Sequence, residues 1–150
     1  MFKDKVVVVT GGVKGIGKCI AEEFEKAGAK VCIIDILDNP YFVGDIAKEK
    51  VLQDFANKVI AEHGKVDILV NNALPFMKGI DSCTFEEFNH ALKVGVTAPF
   101  YLTKLFLPYF AEGASIINMS SSRDRMSQPF TESYTAAKGG IAALTHALAV

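Results

Sequence analysis

A glycine-rich turn between a predicted buried strand and a predicted helix is the feature that most constrains the fold of this chain. Residues 10–17 have the sequence TGGVKGIG, with a β-branched apolar run before them and an amphipathic stretch after them. Glycine permits positive φ angles and has no Cβ, so the backbone can turn sharply and approach a ligand closely. The first N–H groups of a helix are unpaired and carry a partial positive charge, which suits a phosphate. The sequence therefore predicts a phosphate-binding turn, although its G-x-x-x-G-x-G spacing differs from the usual G-x-G-x-x-G.

Apolar runs and amphipathic stretches alternate along the rest of the chain. The predicted strands are residues 5–10, 30–35, 41–44, 65–71 and 114–119, and the predicted helices are residues 16–27, 47–63, 84–110 and 133–150. Pro99 and Pro108 are positions at which the helix over 84–110 can kink or end. This alternation indicates an α/β fold, with a doubly wound parallel sheet that carries helices on both faces. No repeat or linker divides the chain, so we expect a single domain over residues 1–150. The final helix is apolar on several faces, so we also expect that the domain lacks its C-terminal part or is covered there by another subunit.

Composition excludes several other classes of protein. Half of the 150 residues are apolar, 22% are charged and the net charge is −1. These values exclude a disordered chain and give no excess charge to attract nucleic acid or an anionic membrane. No apolar run approaches the roughly 18 residues of a membrane span, and we expect a cytoplasmic protein without a signal peptide. Cys19, Cys32 and Cys83 are far apart and no Cys/His cluster is present, so we expect neither a metal site nor disulfide bonds.

An acidic residue at the end of the second predicted strand indicates which dinucleotide the turn would bind. This residue is Asp35, and the first predicted helix separates its strand from the glycine turn. A carboxylate there can accept hydrogen bonds from both hydroxyls of an adenosine ribose and would repel a 2′-phosphate. Lys14 in the turn has the opposite effect, but the acid at the strand end should dominate. The sequence thus favours NAD over NADP.

Tyr134 and Lys138 lie four residues apart at the start of the last predicted helix, so their side chains share one face. They follow the fifth predicted strand and a serine-rich loop, in the region where open α/β sheets place their ligands. A neighbouring ammonium favours the phenolate form of a tyrosine, which can then exchange a proton with an alcohol or carbonyl oxygen. A serine hydroxyl can hold the same oxygen, and a nicotinamide can exchange a hydride.

Four motifs together resemble the short-chain dehydrogenase/reductase family. They are the glycine turn at residues 10–17, the Asn-Asn-Ala sequence at 71–73, the serines at 120–122 and the Tyr134…Lys138 pair. Their order and approximate spacing are similar to those of the family over all 150 residues. The resemblance implies a Rossmann-like NAD-binding domain, and an oxidoreductase that interconverts an alcohol and a carbonyl by hydride transfer.

The resemblance also implies roles for individual residues. It makes Tyr134 the acid/base, with Lys138 supporting the phenolate and holding the nicotinamide ribose. The family serine usually lies at a characteristic distance before the tyrosine, which indicates Ser121 with Ser120 as the neighbouring candidate. The residues implied in cofactor binding are Gly11, Gly15, Ile16, Gly17, Asp35, Asp45, Ile46, Asn72, Ala73, Tyr134 and Lys138.

The sequence departs from the family pattern at several positions. Leu74 replaces the usual glycine after Asn-Asn-Ala, and Gly95 stands where the family often has an asparagine that supports a proton relay. The connection from Asp35 to Asp45 is too short for the usual crossover helix, so we expect an extended loop and weak pairing of the third strand. The family also has two further strands and a substrate-covering segment after the motifs present here.

Three hypotheses remain open at this point. The first is an NAD(H)-dependent dehydrogenase for a small alcohol or ketone, acting as a homodimer or homotetramer. The second is a non-catalytic dinucleotide-binding or sensing module of the same fold, which Leu74 and Gly95 would favour. The third is a structural fragment without independent function, which the apolar last helix would favour.

Overall fold

The computed structural model describes all 150 residues as alternating strands and helices. The strands are β1 (Val6–Thr10), β2 (Lys30–Asp35), β3 (Phe42–Val43), β4 (Val66–Asn71) and β5 (Phe110–Asn118). The α-helices are α1 (Gly15–Lys26), α2 (Glu49–His63), α3 (Phe85–Leu92), α4 (Ala98–Phe106) and α5 (Glu132–Leu148). A π-helical turn (Lys93–Thr97) joins α3 to α4, and 3-10 turns occupy Leu107–Tyr109 and Ser122–Asp124. None of the helices has the length and apolar character that crossing a membrane requires.

The five strands form one parallel sheet in the order β3-β2-β1-β4-β5. The chain builds outwards from β1 to β3, and then crosses to the other side of β1 to add β4 and β5. The carboxyl ends of β1 and β4 therefore border the point where the strand order reverses, which is where open α/β sheets form their ligand crevice. The predicted α/β fold with helices on both faces is confirmed.

β1 is the centre of the hydrophobic core because its side chains alternate between the two faces of the sheet. Val6 and Val8 join a cluster of 15 buried residues beneath α2 and α4. Val7 and Val9 join Val70 in a smaller cluster beneath α1. All four valines of the strand are at most 1% exposed. The strand end that carries the glycine turn is therefore fixed by packing on both sides.

The helix predicted over residues 84–110 is interrupted next to Pro99 and ends next to Pro108, the two positions at which the sequence predicts a kink or an end. It begins as expected at a capping box, in which Thr84 Oγ1 accepts from Glu87 N and Glu87 Oε2 accepts from Thr84 N. The helix then widens into the π-helical turn just before Pro99, because proline has no N–H to donate to the preceding turn and its ring crowds that turn. A second proline, Pro108, lies in the 3-10 turn that follows α4. β5 consequently begins at Phe110 rather than at residue 114.

The predicted extended connection between β2 and β3 is confirmed. β3 is only two residues long and pairs with β2 at Ile34↔Phe42 and Asp35↔Val43. The Asn39 side chain replaces a longer ladder, since its amide donates to the carbonyls of Leu37 and Phe42 and its oxygen accepts from Tyr41 N and Phe42 N. The remaining element boundaries differ from the predicted ones by one or two residues at most ends, as helix and strand ends commonly do.

Candidate active site

A cleft of about 540 Å³ lies at the carboxyl ends of β1, β2 and β4. Nine of the eleven residues predicted to bind the cofactor line it: Gly11, Gly15, Ile16, Gly17, Asp35, Asp45, Ile46, Asn72 and Ala73. The other two, Tyr134 and Lys138, and the predicted serine Ser121 are not among its lining residues. The structure thus brings together residues from four segments that are separate in the sequence.

The glycines of the turn meet three different requirements. Gly11 has a φ of +66° and would place a Cβ 2.9 Å from Ala73 Cα. Gly17 would place a Cβ 2.1 Å from the carbonyl oxygen of Gly11 and 2.3 Å from Asn72 Nδ2. Gly15 has a φ of +55° but nothing within 4 Å of its Cβ position. The space around Gly15, the first residue of α1, is therefore open on the side of the cleft. Gly11 and Gly17 instead allow the turn to pack closely against the residues after β4.

Hydrogen bonds join the ends of β1 and β4 behind the turn. Thr10 Oγ1 accepts from the backbone N–H groups of Asn72 and Ala73, each at 3.0 Å. The Asn72 side-chain amide donates to the carbonyl oxygens of Thr10 and Gly11, at 3.1 and 3.0 Å. These four bonds hold the residues after β4 directly against the glycine turn. Asn72 therefore both lines the cleft and fixes the end of β4 to the end of β1.

Asp35 connects the end of β2 to the same turn. Its carboxylate oxygens accept from Val13 N and from Leu37 N, each at 3.0 Å. Val13 belongs to the turn and Leu37 to the short connection after β2, so the carboxylate orders both segments. Asp35 also lines the cleft, where a carboxylate retains further acceptor capacity for a ligand hydroxyl.

The far wall of the cleft contains two residues that sequence reasoning missed, His90 and Val94. The ring of His90 stacks on Phe76 with 5.7 Å between ring centroids, and its Nε2 lies 3.5 Å from Asp45 Oδ2. Val94 lines the cleft beside them. These side chains are brought together from α3, the π-helical turn and two loops that are distant in sequence. No motif marked His90 or Val94, because their place in the cleft depends on how the helices pack on the sheet.

Lys138 connects α5 to the carboxyl end of β5. Its side chain is 4% exposed and Nζ donates a hydrogen bond to the carbonyl oxygen of Met119. Burial lowers the pKa of this ammonium below its ordinary value. The ammonium also lies 5.6 Å from the centroid of the Tyr134 ring, as the four-residue spacing predicts. Met119 N in turn donates to the carbonyl oxygen of Asn71. Lys138 is therefore connected, through Met119, to the residue that precedes Asn72 of the cleft.

The two candidate serines differ in the hydrogen bonds that they make. Ser120 Oγ is within hydrogen-bond distance of the Lys138 carbonyl oxygen, at 3.3 Å, and of Asp124 Oδ2, at 3.2 Å, as donor in each case. Ser121 Oγ accepts from Arg123 N at 3.3 Å, at the start of a 3-10 turn that packs against α5. The Ser121 hydroxyl makes no hydrogen bond as a donor in the structure, so its proton is available to a ligand oxygen. This difference favours Ser121 over Ser120 as the residue that would hold a substrate.

The two departures at the site have different surroundings. Leu74 lines the cleft and is 67% exposed, so most of its surface faces solvent. Gly95 is buried in the π-helical turn, where a Cβ would lie only 2.7 Å from Ala137 Cβ. The absence of a side chain at position 95 thus allows α5 to approach the turn closely, one residue before Lys138.

Comparison with known proteins identifies the family. The sequence model of the family described as short chain dehydrogenase matches residues 5–150. The chain belongs to this family. Short-chain dehydrogenases use NAD(P) as cofactor, and the cleft at the strand ends is where such a dinucleotide would lie.

Relatives of the short-chain dehydrogenase family match almost the whole chain. An uncharacterised oxidoreductase of Thermotoga maritima is 38% identical over 173 aligned positions, which include 100% of this chain and 66% of the relative. An L-fucose dehydrogenase of Mus musculus is 32% identical and is aligned over 99% of this chain and 60% of its own length. An apo SCOR enzyme from Clostridium thermocellum has a TM-score of 0.90 at 41% identity, over 97% of this chain and 65% of that one. The chain therefore spans just under two thirds of the length of these short-chain dehydrogenases.

Proposed function

We propose that this chain is the cofactor-binding and catalytic part of an NAD(H)-dependent oxidoreductase that interconverts an alcohol and a carbonyl. The observation that carries the proposal is the Tyr134–Lys138 pair, held by the Met119 carbonyl at the same edge of the sheet as the glycine-lined cleft. Membership of a dehydrogenase family supports the reaction class.

The residues of the cleft fit a dinucleotide. The open space at Gly15 and the N–H groups at the start of α1 suit a pyrophosphate. Asp35 would accept from the adenosine ribose, and Asp45 and Ile46 would border the adenine. Asn72 and Ala73 would lie along the middle of the cofactor, and Tyr134 and Lys138 would hold the nicotinamide ribose. When bound, the nicotinamide would accept or supply a hydride.

The chain itself would supply the proton transfer. Tyr134 would take a proton from the substrate hydroxyl at its phenolate oxygen, or return it to a carbonyl oxygen in the reverse direction. The Lys138 ammonium would stabilise the phenolate, and its burial strengthens that interaction because the surrounding dielectric is low. Ser121 would donate a hydrogen bond to the same substrate oxygen and so fix its position.

The test of this mechanism is the Tyr134→Phe variant. We expect it to lose turnover and to keep most of its affinity for NADH, because the glycine turn, Asp35 and Lys138 are unchanged and only one hydroxyl is removed. Tyr109→Phe is the matched control, since Tyr109 lies in the 3-10 turn after α4, and it should keep full activity. Steady-state kinetics and calorimetric titration with NADH measure the two effects. Full activity in Tyr134→Phe would contradict the assigned mechanism.

We also propose that the cofactor is NAD rather than NADP. The Asp35 carboxylate lies at the end of β2 beside the cleft, where it would repel a 2′-phosphate. Calorimetric titration should show tighter binding of NADH than of NADPH. Asp35→Ser should reduce this preference, because it removes the repulsion, although it also removes acceptors for Val13 N and Leu37 N. Equal affinity of the unmodified chain for both cofactors would contradict the proposed role of Asp35.

A polyhydroxylated small molecule of the aldose type is the substrate class that we propose. One relative is named as an L-fucose dehydrogenase, and the segment around Ser121 provides polar side chains at Ser120, Arg123 and Asp124. Each member of a panel of aldoses and aliphatic secondary alcohols is assayed with NAD⁺, and the absorbance of the NADH formed shows which class of compound is oxidised. Turnover of aldoses alone supports this proposal, and turnover of aliphatic alcohols alone contradicts it.

A non-catalytic dinucleotide-binding module is the second candidate function, and Gly95 favours it. This position cannot supply a side chain to a proton relay. A chain that binds NADH tightly and turns over no alcohol or ketone would support this function instead.

A further inference from the structure

The first turn of α5 is joined to the segment that leaves the cleft by a fully buried serine. Ser133 is 0% exposed and directly precedes Tyr134. Its Oγ accepts from Lys78 N at 2.8 Å and donates to the carbonyl oxygen of Phe76 at 3.3 Å. Its backbone N–H donates to the carbonyl oxygen of Lys78 at 3.2 Å. One residue thus makes three hydrogen bonds to a segment 55 to 57 positions earlier in the chain.

Contacts on both sides of Ser133 hold the same two segments together. Glu132 Oε2 accepts from Ile80 N at 3.1 Å. Gly79 is buried against Phe130, so that a Cβ on Gly79 would lie 2.4 Å from Phe130 Cα. The backbones therefore approach too closely for an intervening side chain. Between these closely packed backbones, the Ser133 hydroxyl is the side-chain group that pairs with both Lys78 N and the Phe76 carbonyl oxygen.

The contact between Ser133 and the segment at 76–78 connects two parts of the proposed site. On one side, Pro75 and Phe76 form part of the cleft wall. On the other, Tyr134 is the next residue after Ser133. Lys78 is held in turn by the side chain of Glu87, which belongs to the capping box of α3. Ser133 therefore lies between Tyr134 on one side and the cleft wall at Phe76 on the other.

We propose that Ser133 is a positioning residue that fixes Tyr134 against the cleft, an inference that rests on the proposed function for its effect on turnover. Removal of its hydroxyl leaves Lys78 N and the Phe76 carbonyl without their buried partner, and such groups are costly to leave unpaired. The first turn of α5 and the segment at 76–78 then separate. Small displacements of a reacting group reduce rates strongly, so we expect kcat to fall about tenfold to a hundredfold in Ser133→Ala. The KM for NAD⁺ changes less than kcat, because the glycine turn, Asp35 and Asn72 keep their contacts although Phe76 and Tyr134 move.

The experiment observes Tyr134 directly and needs no substrate. The chain has four tyrosines, so incorporation of 3-fluorotyrosine gives four fluorine resonances, and the loss of one in Tyr134→Phe assigns it. We expect Ser133→Ala to shift or broaden the Tyr134 resonance and to increase hydrogen exchange at the Lys78 amide. Ser133→Cys keeps a side chain of similar size with weaker hydrogen bonding, and it should give the same changes in smaller measure. Ser82→Ala is the matched control, because Ser82 lies on the same loop, is exposed, and its hydroxyl bonds only to Asp81.

The outcomes separate this proposal from the function on which it rests. An unchanged Tyr134 resonance and an unchanged Lys78 amide in both Ser133 variants would overturn the positioning role. A changed resonance together with reduced kcat and a smaller change in the KM for NAD⁺ supports it. An unmodified chain that neither binds NADH nor turns over any member of the substrate panel contradicts the proposed function instead, and the fluorine spectra still decide whether Ser133 fixes Tyr134.

Discussion

Gly17 leaves no room for any side chain at the back of the cleft. A Cβ at this position would meet a backbone carbonyl oxygen and the Asn72 amide at separations far below van der Waals contact. Neither group can yield easily, because the Asn72 amide is engaged by two carbonyl oxygens. The tight packing behind the turn therefore depends on this glycine more than on Gly15, whose surroundings are open.

We expect Gly17→Ala to weaken NADH binding by about tenfold or more, since overpacking of this size costs on the order of 1–3 kcal/mol and displaces the turn. Gly139→Ala is the control, because a Cβ at this helical position would have nothing within 4 Å. That variant should keep the NADH affinity and gain up to about 1 kcal/mol of stability from helix propensity. Calorimetric titration and thermal melting measure both. Wild-type affinity in Gly17→Ala would show that the turn is not packed as the structure has it.

Residues of the site differ in how far the sequence could predict them. The glycines, Asp35 and the Tyr134–Lys138 pair carry local patterns, because a turn, a strand end and a helical spacing are short-range features. His90 and Ser133 carry none, because their partners lie in segments tens of residues away. The second group is defined by helix packing, which spacing along the chain does not encode.

Among the elements, the sequence predicts a kink or end near Pro99 but not that the interruption between α3 and α4 is a π-helical turn. Apolar periodicity continues through it, so the pattern alone favours one long helix. The widening at Lys93–Thr97 places Gly95 against Ala137 of α5. Two features of the sequence, Pro99 and Gly95, are explained by this one distortion.

Gly95→Ala should destabilise the fold by about 1–3 kcal/mol, because its Cβ would lie 2.7 Å from Ala137 Cβ and 3.3 Å from Pro75 Cγ. The double variant Gly95→Ala/Ala137→Gly removes the first of these collisions. Urea unfolding of the wild type, both single variants and the double variant forms a double-mutant cycle. We expect the double variant to lose clearly less stability than the sum of the single losses. Strict additivity would mean that the two helices do not touch at this point.

At the scale of the whole molecule, one buried carboxylate links the starts of β1 and β4. Asp67 is 4% exposed. Its oxygens accept from Lys5 Nζ at 2.8 Å and from Val6 N at 2.9 Å, and Lys65 Nζ lies at 3.0 Å. Burial by itself would raise the pKa of Asp67, but the hydrogen bonds from Lys5, Val6 and Lys65 outweigh it and lower the pKa to about 2.

This carboxylate should make stability depend on pH in acid. The folded-state pKa lies below the unfolded value, so the contribution is complete above about pH 4 and is lost as the pH falls through about 2. The shift corresponds to about 2 kcal/mol at neutral pH. We expect Asp67→Asn to be less stable than the wild type by about that amount at pH 7, with the difference closing towards pH 2. Asp54→Asn, which removes a surface partner of Lys50, should change stability little at either pH. Denaturant unfolding across this range measures the difference, and a constant gap between wild type and Asp67→Asn would refute the assignment.

The pairing of β1 has a consequence for the time course of synthesis. Its partners are β2, which starts at Lys30, and β4, which starts only at Val66. A growing chain therefore presents four consecutive valines without their second neighbour until β4 has emerged, and strands with such distant partners form slowly. Apolar β-branched segments in that condition are prone to aggregate. Lys3 and Lys5 beside the valines are the kind of charged flanking residues that reduce this risk. The strand that carries the glycine turn is thus made before both of its partner strands and gains the second of them late.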